Sequence, residues 1–166
     1  TDRLISPAYL TAGMGDGGGC HPRDNIALSW LARELDLGFD FFGAVMKSRE
    51  AQAEWLAKLM ADSYAERGLA MAIYGTAFKV GVDSELGSHA LLVADFLRCY
   101  QPEVRLYDPL VAGREKAPPP DAPMVVLIGM NHAEVIAHRF APGSVVIDPW
   151  RCIADQEGVT VRRIGC

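Results

Sequence analysis

No stretch of this 166-residue chain approaches the roughly 20 consecutive apolar residues of a membrane span. No run of lysine or arginine occurs either. Its 16 basic side chains face 21 acidic ones, a net charge of −5, and that balance argues against nucleic acid and anionic membrane as partners. The sequence does not open with a signal-peptide pattern. Cys20, Cys99, Cys152 and Cys166 show no CxxC spacing, which leaves reduced thiols in a cytoplasmic protein as the expectation. His132 and His138 stand six apart, on different faces of a helix, so no metal site is expected. There is no internal repeat. Disorder is excluded as well, because half of the residues are hydrophobic and can supply a core.

What is present centres on one stretch. Gly13, Gly15, Gly17, Gly18 and Gly19 lead into Cys20, followed by Pro22, Arg23 and Asp24, where a helical pattern begins. Glycine lets a backbone pass close to a ligand and tolerates positive φ. The thiol is delivered to a helix start, where open N–H groups favour a thiolate and Asp24 can cap. A nucleophile is one reading of Cys20 and an idle turn cysteine the other; Asp24 is either a proton-handling carboxylate or only a cap. His21, next in sequence to the sulfur, is poorly placed as its base.

Residues 1–23 read as irregular. Ala27, Leu28, Leu31 and Leu35 have the spacing of an amphipathic helix closed by Gly38. A second helix is expected over Phe41–Arg67, roughly 40 Å long, stopped by Gly68. Its stripe is Val45, Gln52, Leu56, Leu59 and Ser63, flanked by Trp55, Met60 and Tyr64. The period then changes. Strands are expected at 69–74, 104–107, 124–128, 144–147 and 159–164, helices at 88–100 and 132–140, and a proline-rich loop over 108–123. The expected fold is α/β, a helical segment over residues 1–67 followed by a Rossmann-like parallel-sheet domain over 68–166. In such sheets ligands sit at the carboxyl ends of strands, where Gly75, Phe78 and Lys79 fall. Gly13, Gly15 and Gly18 fit G-x-G-x-x-G by letter count, but no strand is read before them, so no dinucleotide fingerprint is assigned.

Together these motifs resemble one family. The run from Gly13 to Asp24 is similar to the active-site loop of the UDP-glucose/GDP-mannose (nucleotide-sugar 6-) dehydrogenases. Gly75-x-Ala77-Phe78-Lys79-x-Gly81-x-Asp83 resembles the opening of their C-terminal domain, and Leu106-Tyr107-Asp108-Pro109 and Val146-Ile147-Asp148 resemble two of its strand ends. The resemblance implies that residues 1–67 are the end of a central helical domain and that an N-terminal NAD-binding domain lies outside this chain, so that this is a later part of something longer. It implies a two-step oxidation of the sugar C6 alcohol to a uronic acid through a thiohemiacetal and a thioester on Cys20, assisted by Asp24. Substrate contacts are implied for Gly13, Gly15, Gly17, Gly18, Gly19, Phe78 and Lys79, and Arg151 is a further candidate. NAD is the implied cofactor, a nucleotide sugar the substrate, and a homodimer the assembly. The chain departs from the family after Lys79: the usual arginine and its neighbouring glutamate give way to Leu86 and Gly87, and the family's local ion pair goes with them. The alternatives are a non-catalytic sugar-nucleotide-binding domain and a thiol hydrolase or transferase of another class.

Overall fold

A computed structural model describes residues 11–15, 17–100 and 103–165; the irregular stretch expected over residues 1–10, and Cys166, lie outside the described residues. The elements are α1 (Cys20–Glu34), α2 (Phe41–Arg67), β1 (Ala70–Tyr74), α3 (His89–Leu97), β2 (Val104–Tyr107), β3 (Met124–Ile128), α4 (Ala133–Ala137), β4 (Val145–Asp148) and β5 (Thr160–Arg163). The five strands form one parallel sheet in the order β2-β1-β3-β4-β5. The strand order reverses direction between β1 and β3. That is the switch point at which open α/β sheets form a crevice beyond the carboxyl ends of their strands.

The three central strands β1, β3 and β4 are apolar runs because both faces of the sheet are covered there, whereas the edge strands β2 and β5 carry arginines. On one face Met71, Ile73, Val125, Leu127, Val145 and Ile147 share a core with residues of α2 and α3. On the other, Ala72, Tyr74, Val126, Ile128 and Val146 pack with Val135, Phe140 and Ile153. The seam expected near residue 67 is a change of period in the sequence. Packing runs on across it, since Ala53, Leu56, Ala57 and Met60 of α2 lie in the same core as β1 and β3.

Asp40 caps α2 by accepting from the Gly43 amide at 2.8 Å, and Gly68 ends it at φ 64°. The buried face of α2 is Ala53, Leu56, Ala57, Met60 and Ser63. This corrects the expected stripe: Gln52 and Trp55 are exposed, and Val45 and Leu59 only half-buried. Two alanines let the helix lie close against its neighbours, a role that side-chain hydrophobicity understates.

α1 needs two corrections. It begins at Cys20 rather than Asp24, with Gly19 before it and no side-chain cap. Its apolar residues do not form a buried face: only Ser29 and Ala32 are buried, while Trp30 is 56 % and Leu35 62 % exposed. Ser88 caps α3 through the Leu91 amide. α4 is shorter than expected, and residues 108–123 form the anticipated loop.

Candidate functional site

The carboxyl ends of β1, β2 and β3 carry the loops that matter. Asp108 follows β2 and is fully buried. One carboxylate oxygen accepts from the Thr76 and Ala77 amides, at 2.7 and 2.9 Å; the other accepts from Leu110 and Val111, at 2.8 and 3.0 Å. Burial alone would raise its pKa. The backbone donors outweigh burial and hold the group below the ordinary carboxylate value. One charged side chain thus fixes the loop after β1 to the loop after β2.

Two further contacts hold the β1 loop. Glu85 forms a two-pronged ion pair with Arg114 of the β2–β3 loop, at 2.8 and 3.0 Å. Burial opposes the charge on Glu85, and hydrogen bonds from Arg114 and Thr76 overcome it and lower its pKa. The departure after Lys79 therefore does not leave this loop without an ion pair; the arginine comes from elsewhere in the chain. His132, 1 % exposed, accepts from the Gly81 amide through Nδ1 at 3.4 Å. Lys79 stands exposed on the turn between these anchors.

The glycine loop lies across this end of the sheet. A Cβ on Gly13 would come within 2.8 Å of the Trp150 ring, and one on Gly15 within 2.7 Å of the His89 ring. On Gly17 it would meet the Phe78 carbonyl at 2.9 Å, and on Gly19 the Leu86 side chain at 2.9 Å. Gly18, at φ 88°, faces the Phe78 ring, and Gly87, at φ 67°, packs on the Gly18 carbonyl. The close approach that each of the five permits is to another part of this chain. Arg49 of α2 adds a hydrogen bond to the Gly87 carbonyl at 3.2 Å.

Cys20 is exposed at the first position of α1, where the unsatisfied N–H groups of the helix lie. Asp24, one turn on, is on the same face. It is exposed and bound to Arg23 (Nε–Oδ1, 2.8 Å), so it does not cap the helix as the sequence suggested. The Arg23 guanidinium is held firmly protonated, first by Asp24 and in lesser part by the Cys20 side chain. Arg23 therefore pairs with Asp24 one turn beyond the cysteine.

The structure brings Cys20, Asp24, the glycine loop and the Phe78–Lys79 turn to one end of the sheet. Arg151, at φ 55°, lies at the far side of that end, bonded to the Gly165 carbonyl at 2.6 Å, beside an open cavity of about 390 Å³ that reaches Gly13. Sequence reasoning missed His132, and it missed Arg114 as the partner of Glu85. It had quoted Asp108 only as a motif letter, although a carboxylate ending an apolar strand is itself a signal. Cys152, paired with Asp148, has its thiol pushed up to about 12, chiefly by burial, and is no competitor to Cys20. Among the described residues no three His, Cys, Asp or Glu side chains converge on a metal position, and no helix is long and apolar enough to cross a membrane.

Fold and site together define a Rossmann-like α/β protein whose sheet end is closed by a cysteine-bearing glycine loop. Residues 1–51 match the sequence model of the UDP-glucose/GDP-mannose dehydrogenase family, central domain. UDP-glucose 6-dehydrogenase YwqF of Bacillus subtilis (strain 168) is 30 % identical over 122 residues, 73 % of this chain and 28 % of its own length. The UDP-glucose 6-dehydrogenase of Pseudomonas aeruginosa is 26 % identical over 153 residues, 91 % of this chain and 34 % of its own length. In fold, a UDP-glucose dehydrogenase from Pyrobaculum islandicum superposes with a TM-score of 0.74 at 22 % identity, covering 97 % of this chain and 40 % of that one. The chain belongs to the UDP-glucose/GDP-mannose dehydrogenase family. It spans about a third of the length of the curated relatives it matches.

Proposed function

We propose that this chain is the substrate-binding and cysteine-bearing part of an NAD-dependent nucleotide-sugar 6-dehydrogenase, which oxidises UDP-glucose or a related nucleotide hexose to the uronic acid in the cytoplasm. The observation that supports it most is the docking of the Gly17 and Gly18 backbone on Phe78 and of Gly19 on Leu86, which holds the Cys20 loop against the loop that carries Lys79. In this reading the Cys20 sulfur adds to the C6 aldehyde carbon as a thiohemiacetal, and the carbonyl oxygen takes up a proton. The adduct's carbon then gives up a hydride to NAD, as the alcohol carbon did when the aldehyde formed, and its hydroxyl gives up a proton, which leaves a thioester. Water adds to its carbonyl, the carbon–sulfur bond breaks, and the acid leaves with the thiol restored. Asp24, held by Arg23, orients that water and moves the proton. Lys79 binds the sugar nucleotide, with Phe78 and the glycine-loop backbone lining the crevice and Arg151 at its margin.

The described residues do not fit NAD. Among the described residues no strand precedes the glycine loop, and the β1 loop, Gly75 to Lys79, lacks the glycine pattern that cradles a pyrophosphate. NAD is therefore assigned to a domain outside this chain. The exposed apolar residues of α1 are assigned to burial against a second copy in a homodimer.

The test is product stoichiometry in the intact protein with UDP-, TDP- and GDP-hexoses. Roughly two NADH per sugar consumed, lost in Cys20→Ala, is expected for a four-electron oxidation to the acid. Sugar-nucleotide binding without NADH would instead favour a non-catalytic binding domain.

A further inference from the structure

His132 follows β3 and is the residue before the first turn of α4, fully buried beneath the loop that carries Lys79. The Lys79 turn is tight: the Val82 amide donates to the Lys79 carbonyl at 3.4 Å, and Gly81 sits at φ 75°. The start of the loop is fixed by Asp108 through Thr76 and Ala77. Its far side is fixed where the Gly81 amide donates to His132 Nδ1. Accepting there places the imidazole proton on Nε2, which points toward Asp108 Oδ2 at 3.7 Å. The ring thus spans the space between the buried carboxylate and the underside of the turn, with Nε2 facing the carboxylate but beyond hydrogen-bond distance of it.

We propose that His132 is a positioning residue: its Nδ1 anchors the turn at Gly81 and so sets where the Lys79 ammonium stands in the crevice. It touches no reacting atom. This inference rests on the reading of Lys79 as a sugar-nucleotide contact, and the test separates the two.

Asparagine carries its side-chain oxygen close to the place of Nδ1, whereas glutamine carries its polar end nearer that of Nε2. The two are alike in polarity, so general damage to the buried site affects both. In the intact protein, with UDP-glucose as the probe, His132→Gln is expected to raise KM about tenfold with kcat little changed, the pattern of a lost binding contact. His132→Asn is expected to stay within about twofold of the wild type. Hydrogen exchange over residues 78–84 should quicken in His132→Gln and not in His132→Asn. Equal KM effects in the two variants, or exchange at Gly81 that ignores the glutamine substitution, would overturn the anchor. Exchange that follows this pattern in a wild type that neither binds nor oxidises UDP-glucose would uphold the anchor and overturn the substrate reading.

Discussion

At the scale of single residues, the site rests on a few buried polar groups. Asp108 satisfies four backbone amides with one carboxylate, and its pKa is depressed from an ordinary 3.8. A depressed folded-state pKa contributes stability that is present above the ordinary value and is lost as the pH falls through the folded value. Thermal unfolding followed by circular dichroism should therefore show a midpoint that drops as the pH is taken below about 4. Asp108→Asn should flatten that dependence while lowering the midpoint at neutral pH, since an amide left without its acceptor costs about 1–3 kcal/mol. Cys20, Asp24, the glycines and Lys79 were legible as letters because local sequence spells out the loop and the turn that carry them. Arg114 and His132 were not, because each meets its partner only through the sheet: Arg114 reaches Glu85 from 29 residues away, and His132 reaches Gly81 from 51.

At the scale of elements, the glycine loop and the β1 loop are held face to face by backbone on backbone. Gly87 is the tightest point, with positive φ and its Cα against the Gly18 carbonyl. Gly87→Ala adds a methyl group where no space exists and imposes a left-handed conformation on a residue with a Cβ, at a cost of about 1–3 kcal/mol. The expected outcome is a lower melting temperature together with weaker nucleotide-sugar binding by calorimetry, since the loop must lift from Phe78. Gly81→Ala, also at positive φ but open to space, should show only the conformational part of that cost. The strands and α2 were readable because both have strong patterns: β3 is a continuous apolar run, and α2 ends on a glycine. α1 was misread for a physical reason. Periodic leucines announce an apolar face, but they do not say whether this chain or another covers it.

At the scale of the whole molecule, the sheet, α2 and α3 share one core, while the outer side of α1 and the start of α2 leave Trp30, Leu35, Leu37, Phe39 and Phe41 more than half exposed. If a second copy covers this surface, Trp30→Glu with Leu35→Glu should convert the intact protein from dimer to monomer in sedimentation velocity without changing its circular dichroism. Among the described residues the margins of the sheet are blunted. β2 is overlaid at Tyr107 by the returning chain at Glu115, and β5 displays Arg162 and Arg163, each tied to an acidic neighbour. Strand-by-strand growth of a fibre needs an open, flat, uncharged edge, and this sheet has one edge covered at its end and the other charged. Among the described residues, the bridge at Tyr107 on one margin and the paired arginines on the other disfavour edge-to-edge growth of the sheet, and the exposed apolar surface of the molecule lies on its helices instead.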